Sequence, residues 1–162
     1  MKDKRLEKKN AELVKKKLSE LLSVYGFIKT KPTFFTRLFE DRIEFIHLHK
    51  FSYGPAFRVH TGIRFLKDNQ EFIELNGIEA SGHKNEYPIN YDFSYHKDDA
   101  SINRCANQIL LFVENESLPW LENWREGDEF YNRQDSPFRL SKDGLNKEDS
   151  ETLSKKLLGI KD

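Results

Sequence analysis

Arg42-Ile43-Glu44-Phe45-Ile46-His47-Leu48-His49-Lys50-Phe51, then Ser52-Tyr53-Gly54-Pro55, then Ala56-Phe57-Arg58-Val59-His60-Thr61-Gly62-Ile63-Arg64-Phe65-Leu66 decide the fold. The two outer stretches are rich in aromatic and β-branched residues, which suit a pleated, half-buried surface. The four residues between them carry turn chemistry, so the stretch reads as an antiparallel hairpin. Upstream, residues 33–39 form a similar run, and Glu40-Asp41 can close the turn to it. A three-strand antiparallel meander is the economical reading. Residues 71–75 and 89–95 add two further candidate strands, the second with Tyr91, Phe93 and Tyr95 on one face.

Helices flank this sheet. In residues 3–25, Leu6, Leu13, Val14, Leu18, Leu21, Leu22 and Tyr25 recur at helical spacing, and Gly26 offers a left-handed stop. Arg5, Lys8, Lys9, Glu12, Lys15 and Lys16 fall on the opposite face. Residues 99–114 put Ile102, Cys105, Ala106, Ile109, Leu110 and Val113 on one stripe, after the capping candidates Asp98 and Asp99. Ser117 and Pro119 then suggest a new short helix carrying Leu118, Leu121 and Trp124. Strands followed by helices predict an α+β domain. The expected architecture is an antiparallel sheet of four to five strands, with N-terminal and C-terminal helices packed on one face. That domain spans 1–125. Residues 126–162 read as a polar C-terminal extension with a short helix at 147–158, a cap at Asn146 and a stop at Gly159. Such a tail either docks or moves freely.

Composition narrows the class. The chain has 162 residues, 33% of them charged, with 13 Phe, too aromatic for a disordered polymer. Lys+Arg and Asp+Glu are 27 each, so no overall attraction to nucleic acid is expected. The basic face of the first helix has no interleaved aromatics for stacking on bases, which also argues against that partner. Cys105 stands alone on an apolar stripe, excluding an intramolecular disulfide and reading as a buried thiol. The longest apolar run, 109–113, is far short of the ~20 residues that span a bilayer. No apolar signal-peptide core follows Met1, so the expected location is cytoplasmic, with no membrane partner. Nucleotide, hydrolase, metalloprotease and redox motifs are absent, so no catalytic residue and no cofactor are assigned.

The histidines form one constellation. A four-residue hairpin loop sets paired positions so that His47 lies opposite His60 and His49 opposite Arg58, all on one face. Two imidazoles at i and i+2 with a third across the ladder could hold zinc and leave a fourth position open. The same three side chains could instead form a hydrogen-bonded network that pins the register. A one-residue slip would move His60 to the other face. The ligand-binding candidates are therefore His47, His49, Arg58 and His60, with His47, His49 and His60 as the metal alternative. His83 and His96 read as solvated. A second candidate lies in the acidic stretch 114–129 and just beyond it, where Trp120, Trp124, Phe130 and Tyr131 would suit a protein interface.

Tyr25-Gly26-Phe27, Lys29 and Lys31, Phe34-Phe35, residues 43–50, Tyr53-Gly54 and the run Phe57 to Ile63 together resemble the bacterial domain-of-unknown-function family numbered 4304. Leu118-Pro119-Trp120-Leu121 looks like that family's closing element, and the resemblance covers residues 5–125. It implies the same fold and no activity. Some members are suspected immunity or toxin-neighbourhood proteins, which implies a protein partner such as a toxin. The family pattern expects amides where His47, His49 and His60 stand, and amides are poor zinc ligands. The function expected is thus that of a non-catalytic binding protein, an immunity-type or protein-interaction module. The competing class is a metal-binding protein or small-molecule enzyme using the histidines.

Overall fold

The computed structural model describes residues 3–52, 54–82, 86–96, 98–136 and 147–161. One five-stranded antiparallel sheet runs in sequence order: β1 (Ile28–Lys31), β2 (Phe34–Leu38), β3 (Arg42–Lys50), β4 (Phe57–Phe65) and β5 (Glu79–Ala80). The hairpin of β3 and β4 is its centre, pairing nine residues from Arg42↔Phe65 to Lys50↔Phe57. β1 is an edge strand whose Lys29 and Lys31 are exposed, a usual way to discourage pairing with another chain. With only four residues and two lysines, it lacks the apolar signal that announces the other strands.

The even-numbered positions of β3 and the odd-numbered positions of β4 face the helices. α1 (Lys4–Leu22) and α2 (Asp99–Phe112) lie on this inner face, burying Val14, Leu18, Leu22, Ile46, Leu48, Phe57, Val59 and Ile109 in one cluster. Asp3 caps α1 by accepting from the backbone of Arg5 and Leu6, and Asp98 caps α2 by accepting from Ser101. Gly26 closes the helical segment at φ 85°, the left-handed position the sequence indicated. The buried stripe of α1 is Asn10, Ala11, Val14, Lys15, Leu18 and Leu22, rotated from the expected one. Leu13 is exposed, and Lys15 is buried with its ammonium 2.7 Å from Glu12. The rotation seats Asn10 against the His96 carbonyl at 2.6 Å, a bond the leucine pattern does not foresee.

After α2 the helix widens into a π turn, Val113–Ser117, and continues as α3 (Leu118–Asn123). The continuation corrects the expectation of a new helix at Ser117. A wide turn leaves room for the Pro119 ring and does without its missing N–H. The turn also aims Ser117 at the sheet, its hydroxyl 2.6 Å from that of Thr61.

Two expected strands are not strands. Residues 71–75 run beside Arg64, whose guanidinium donates to the carbonyls of Asp68, Gln70 and Phe72. Carbonyls turned toward one cation cannot extend a ladder. Asn76 then takes the place of a paired residue, its side chain accepting from Ile63 N–H at 3.1 Å and donating to its carbonyl at 2.8 Å. Residues 89–95 bury Tyr91, Phe93 and Tyr95 as the alternation predicts, but among the described residues they make one isolated bridge, Ala56↔Ser94, rather than a ladder.

The C-terminal extension returns to the body. α4 (Gly127–Asn132) places Phe130 at zero exposure, its ring 4.8 Å from Phe65 and 5.1 Å from Trp124. α5 (Lys147–Leu157) lies on the outer face, the one turned away from α1 and α2. There Leu158 joins Ile43, Phe45 and Leu66, and Ser154 accepts from Arg64 at 2.8 Å. The seam of α5 is Ser150, Ser154 and Leu158, while Leu153 and Leu157 are only partly buried. Small serines bring the helix close to the sheet, and Gly159, at φ 72°, lets the chain turn against the Thr30 carbonyl. Asn146, the cap read from the sequence, lies outside the described residues. No helix among the described residues is long and apolar enough to cross a membrane.

Two measurements check this packing. Ile109→Ala removes a fully buried side chain between α2 and the sheet, and urea unfolding should show a loss of about 2–5 kcal/mol. Truncation after Arg125 removes Phe130 and Leu158, each worth about 1.5–3 kcal/mol of burial. The truncated chain should therefore unfold at distinctly lower urea, and an unchanged midpoint would show that the extension does not dock.

Candidate functional site

The outer face has two ends. Pairing places Leu38, Ile43 and Arg64 in one row, then Thr36, Phe45 and Gly62, then Phe34, His47 and His60, then His49 and Arg58. α5 covers the first end. Phe45 lies across Gly62, where any Cβ would strike its ring, so this part of the face is closed and apolar. The other end carries all four ligand-binding candidates of the sequence, in the register expected for them: His47↔His60 and His49↔Arg58.

Each imidazole has its own environment. His47 sits with its ring 4.4 Å from that of Phe34 and 5.7 Å from that of His60. Its Nδ1 is 3.1 Å from the Thr33 carbonyl. Burial pushes its pKa below the ordinary value, against the pull of that carbonyl. His60 is 9% exposed, and its Nδ1 lies 3.3 Å from Glu79 Oε2. Burial dominates there too and takes its pKa down to about 4, although Glu79 favours the charged form. His49 is exposed, edge-on to Phe51 at 6.4 Å, and the Arg58 guanidinium lies over the same Phe51 ring at 5.4 Å. Beside Arg58 and Glu79 a cavity of about 50 Å³ opens, also lined by Ser81, Glu86 and Tyr87. Tyr87 donates to the Glu79 carbonyl at 2.9 Å, and burial among carboxylates pushes its phenol up to about 12.

Among the described residues no three His, Cys, Asp or Glu side chains gather as metal ligands. His47 and His60 are turned to the Thr33 carbonyl and Glu79, and His49 stands beside Phe51. Arrangement and chemistry are those of a polar strip: three imidazoles, one guanidinium and a cavity at its margin. Glu79 and Thr33 are the members that sequence reasoning missed. Glu79 sits in a two-residue strand within a polar loop, and Thr33 contributes only its carbonyl, so no side-chain pattern points to either.

The second candidate group separates. Trp124 is 3% exposed and Phe130 0%, the Phe130 ring packing on both Trp124 and Phe65 in the interior. Trp120 is half-buried, edge-on to Trp124 at 6.3 Å, and the side chain of Tyr131 lies outside the described residues. Two of the four aromatics thus hold α4 on the body rather than face outward. Cys105 is buried, donates to the Phe93 carbonyl at 3.3 Å, and has its thiol pushed up to about 12 by burial, a thiol poorly suited to nucleophilic attack. His96 is exposed, and His83 lies outside the described residues. No family model, no curated protein and no solved structure matches the chain.

The strip has a pH signature. His60 is neutral when folded down to a pKa of about 4, but in the unfolded chain it protonates near 6.5. Between those values the unfolded state binds more protons, so stability is full above pH 6.5 and falls as pH drops toward 4. The loss should reach up to about 3 kcal/mol, with His47 acting in the same direction. Urea midpoints at several pH values across that window should show the fall, and His60→Asn should flatten it.

Proposed function

We propose that this chain is a non-catalytic binding protein of the cytoplasm, an immunity-type or protein-interaction module akin to the family numbered 4304. Its partner is a protein such as a toxin, met on the uncovered end of the outer sheet face. The observation that carries this reading is the division of that face. α5 covers Ile43 and Phe45 at one end, while His47, His49 and Arg58 stay at least partly open at the other. The open end offers hydrogen-bonding groups beside the partly buried Phe34 and holds the His47 and His60 rings neutral, so docking there strips little charge of water.

Calorimetry with the product of an adjacent gene tests the reading. Saturable one-to-one binding is expected, lost in the double variant His49→Glu, Arg58→Glu, with the thermal midpoint of the variant retained because both side chains reach solvent. Zinc titration of the wild type and of His60→Asn tests the competing class. No zinc binding is expected in either protein. Micromolar or tighter binding in the wild type, absent from His60→Asn, would move the protein to the metal-binding class.

A further inference from the structure

The two paired imidazoles have only one arrangement of protons that fits their neighbours. The Thr33 carbonyl can only accept a hydrogen bond, so the His47 nitrogen 3.1 Å from it carries the proton. The Glu79 carboxylate likewise draws the His60 proton to Nδ1, 3.3 Å away. In each neutral ring the other nitrogen, Nε2, is then a bare acceptor. Neither Nε2 has a protein partner among the described residues, and neither is sealed from solvent. Two acceptors therefore stand opposite each other on one face, with ring centroids 5.7 Å apart.

One pair further along the ladder the chemistry inverts. Arg58, opposite His49, can only donate, and it borders the cavity of about 50 Å³ that it shares with Glu79, Ser81, Glu86 and Tyr87. The positive charge of Arg58 and the negative charge of Glu79 offset each other, and Glu86 stands at the exposed rim, where salt screens it. A cation would meet Arg58 and an anion would meet Glu79. A neutral group offering two N–H donors and one oxygen acceptor matches the two ring nitrogens and Arg58. The cavity begins at Glu79, the residue that His60 faces, so the ring nitrogens and Arg58 border one continuous polar region.

We propose that the His47–His60 pair, Arg58 and the adjoining cavity form a subsite for a neutral carboxamide, the side chain of a glutamine or asparagine on the partner protein. Its N–H₂ donates to the imidazole nitrogens and its carbonyl accepts from Arg58. This rests on the outer face being the binding surface and names what that surface reads.

Side-chain nitrogen NMR on the full-length ¹⁵N-labelled protein at neutral pH provides the test. Both His47 and His60 should show a protonated Nδ1 and a bare Nε2. N-acetylglutamine methylamide, titrated into the high-millimolar range, should shift both Nε2 signals in a saturable way. N-acetylglutamate methylamide and inorganic phosphate should leave them unmoved. Arg58→Met should weaken the glutamine response about tenfold, the loss of one hydrogen bond to a charged group, with the remaining spectrum showing an intact fold. A protonated Nε2 on either ring, a response to the glutamate compound or to phosphate, or Nε2 signals captured by micromolar zinc would each overturn the proposal. No response to the glutamine compound while the partner still binds by calorimetry would overturn the carboxamide and leave the surface standing. Loss of partner binding from neither His49→Glu nor Arg58→Glu would overturn the surface itself.

Discussion

The nine-residue pairing of β3 with β4 is the constraint on which the rest depends. Side chains alternate along both strands, so a single register decides what lies on either face. In the observed register Ile46, Leu48, Val59 and Ile63 all turn inward to α1 and α2. A slip of one residue in β4 would send Val59 and Ile63 to the outer face and His60 and Arg64 into the helices. Neither imidazole nor guanidinium would find its present partners there. The hydrophobic pattern and the histidine ladder are thus two consequences of one pairing.

Buried charge carries the same pairing to the periphery. Arg42 and Arg64 are 4% and 2% exposed, and Glu44 is fully buried, all on the central strands. Arg42 donates to the carbonyls of Trp124 and Arg125, closing the end of α3. Glu44 accepts from Arg37 at 2.9 Å and approaches Arg125 at 3.5 Å. On the opposite face Arg64 gathers three loop carbonyls and reaches Ser154 of α5. Guanidinium groups can satisfy several acceptors at once in a fixed fork, which makes them suited to holding irregular backbone. The sheet therefore fastens its loops and its last helices through arginines rather than through further strands.

That division explains what was legible in the sequence. β2, β3, β4, α1 and α2 announce themselves by apolar periodicity, and their limits follow within three residues. Gly26 and Gly159 mark their stops because only a residue tolerant of positive φ ends a helix in that way. Residues 71–75 mislead, since Phe72, Ile73 and Leu75 look like a strand while the Phe72 carbonyl answers to Arg64, a residue eight positions earlier. The seam of α5 misleads in a similar way: its leucines suggest one face, but the close approach to the sheet selects Ser150 and Ser154. Trp124 and Phe130 resemble an interface beside acidic residues, and only their packing on each other, and of Phe130 on Phe65, shows them to be interior. The candidate site followed from register alone and was legible; Glu79 was not, because contact across a short edge strand leaves no periodic trace.

The two ends of the outer face differ for a physical reason that the ladder itself supplies. Where Gly62 lies opposite Phe45, the ring can fold down and the surface becomes flat and apolar, which water disfavours and α5 covers. Where His60 lies opposite His47, covering the pair would strip two imidazoles of water. Their neutrality lowers that cost without removing it, since each bare nitrogen still needs a donor. A helix face offers side chains but few free backbone donors, so α5 is a poor cover for this end. What suits it is a group that brings donors of its own, and the chain's own covering helix lies over the apolar end of the face.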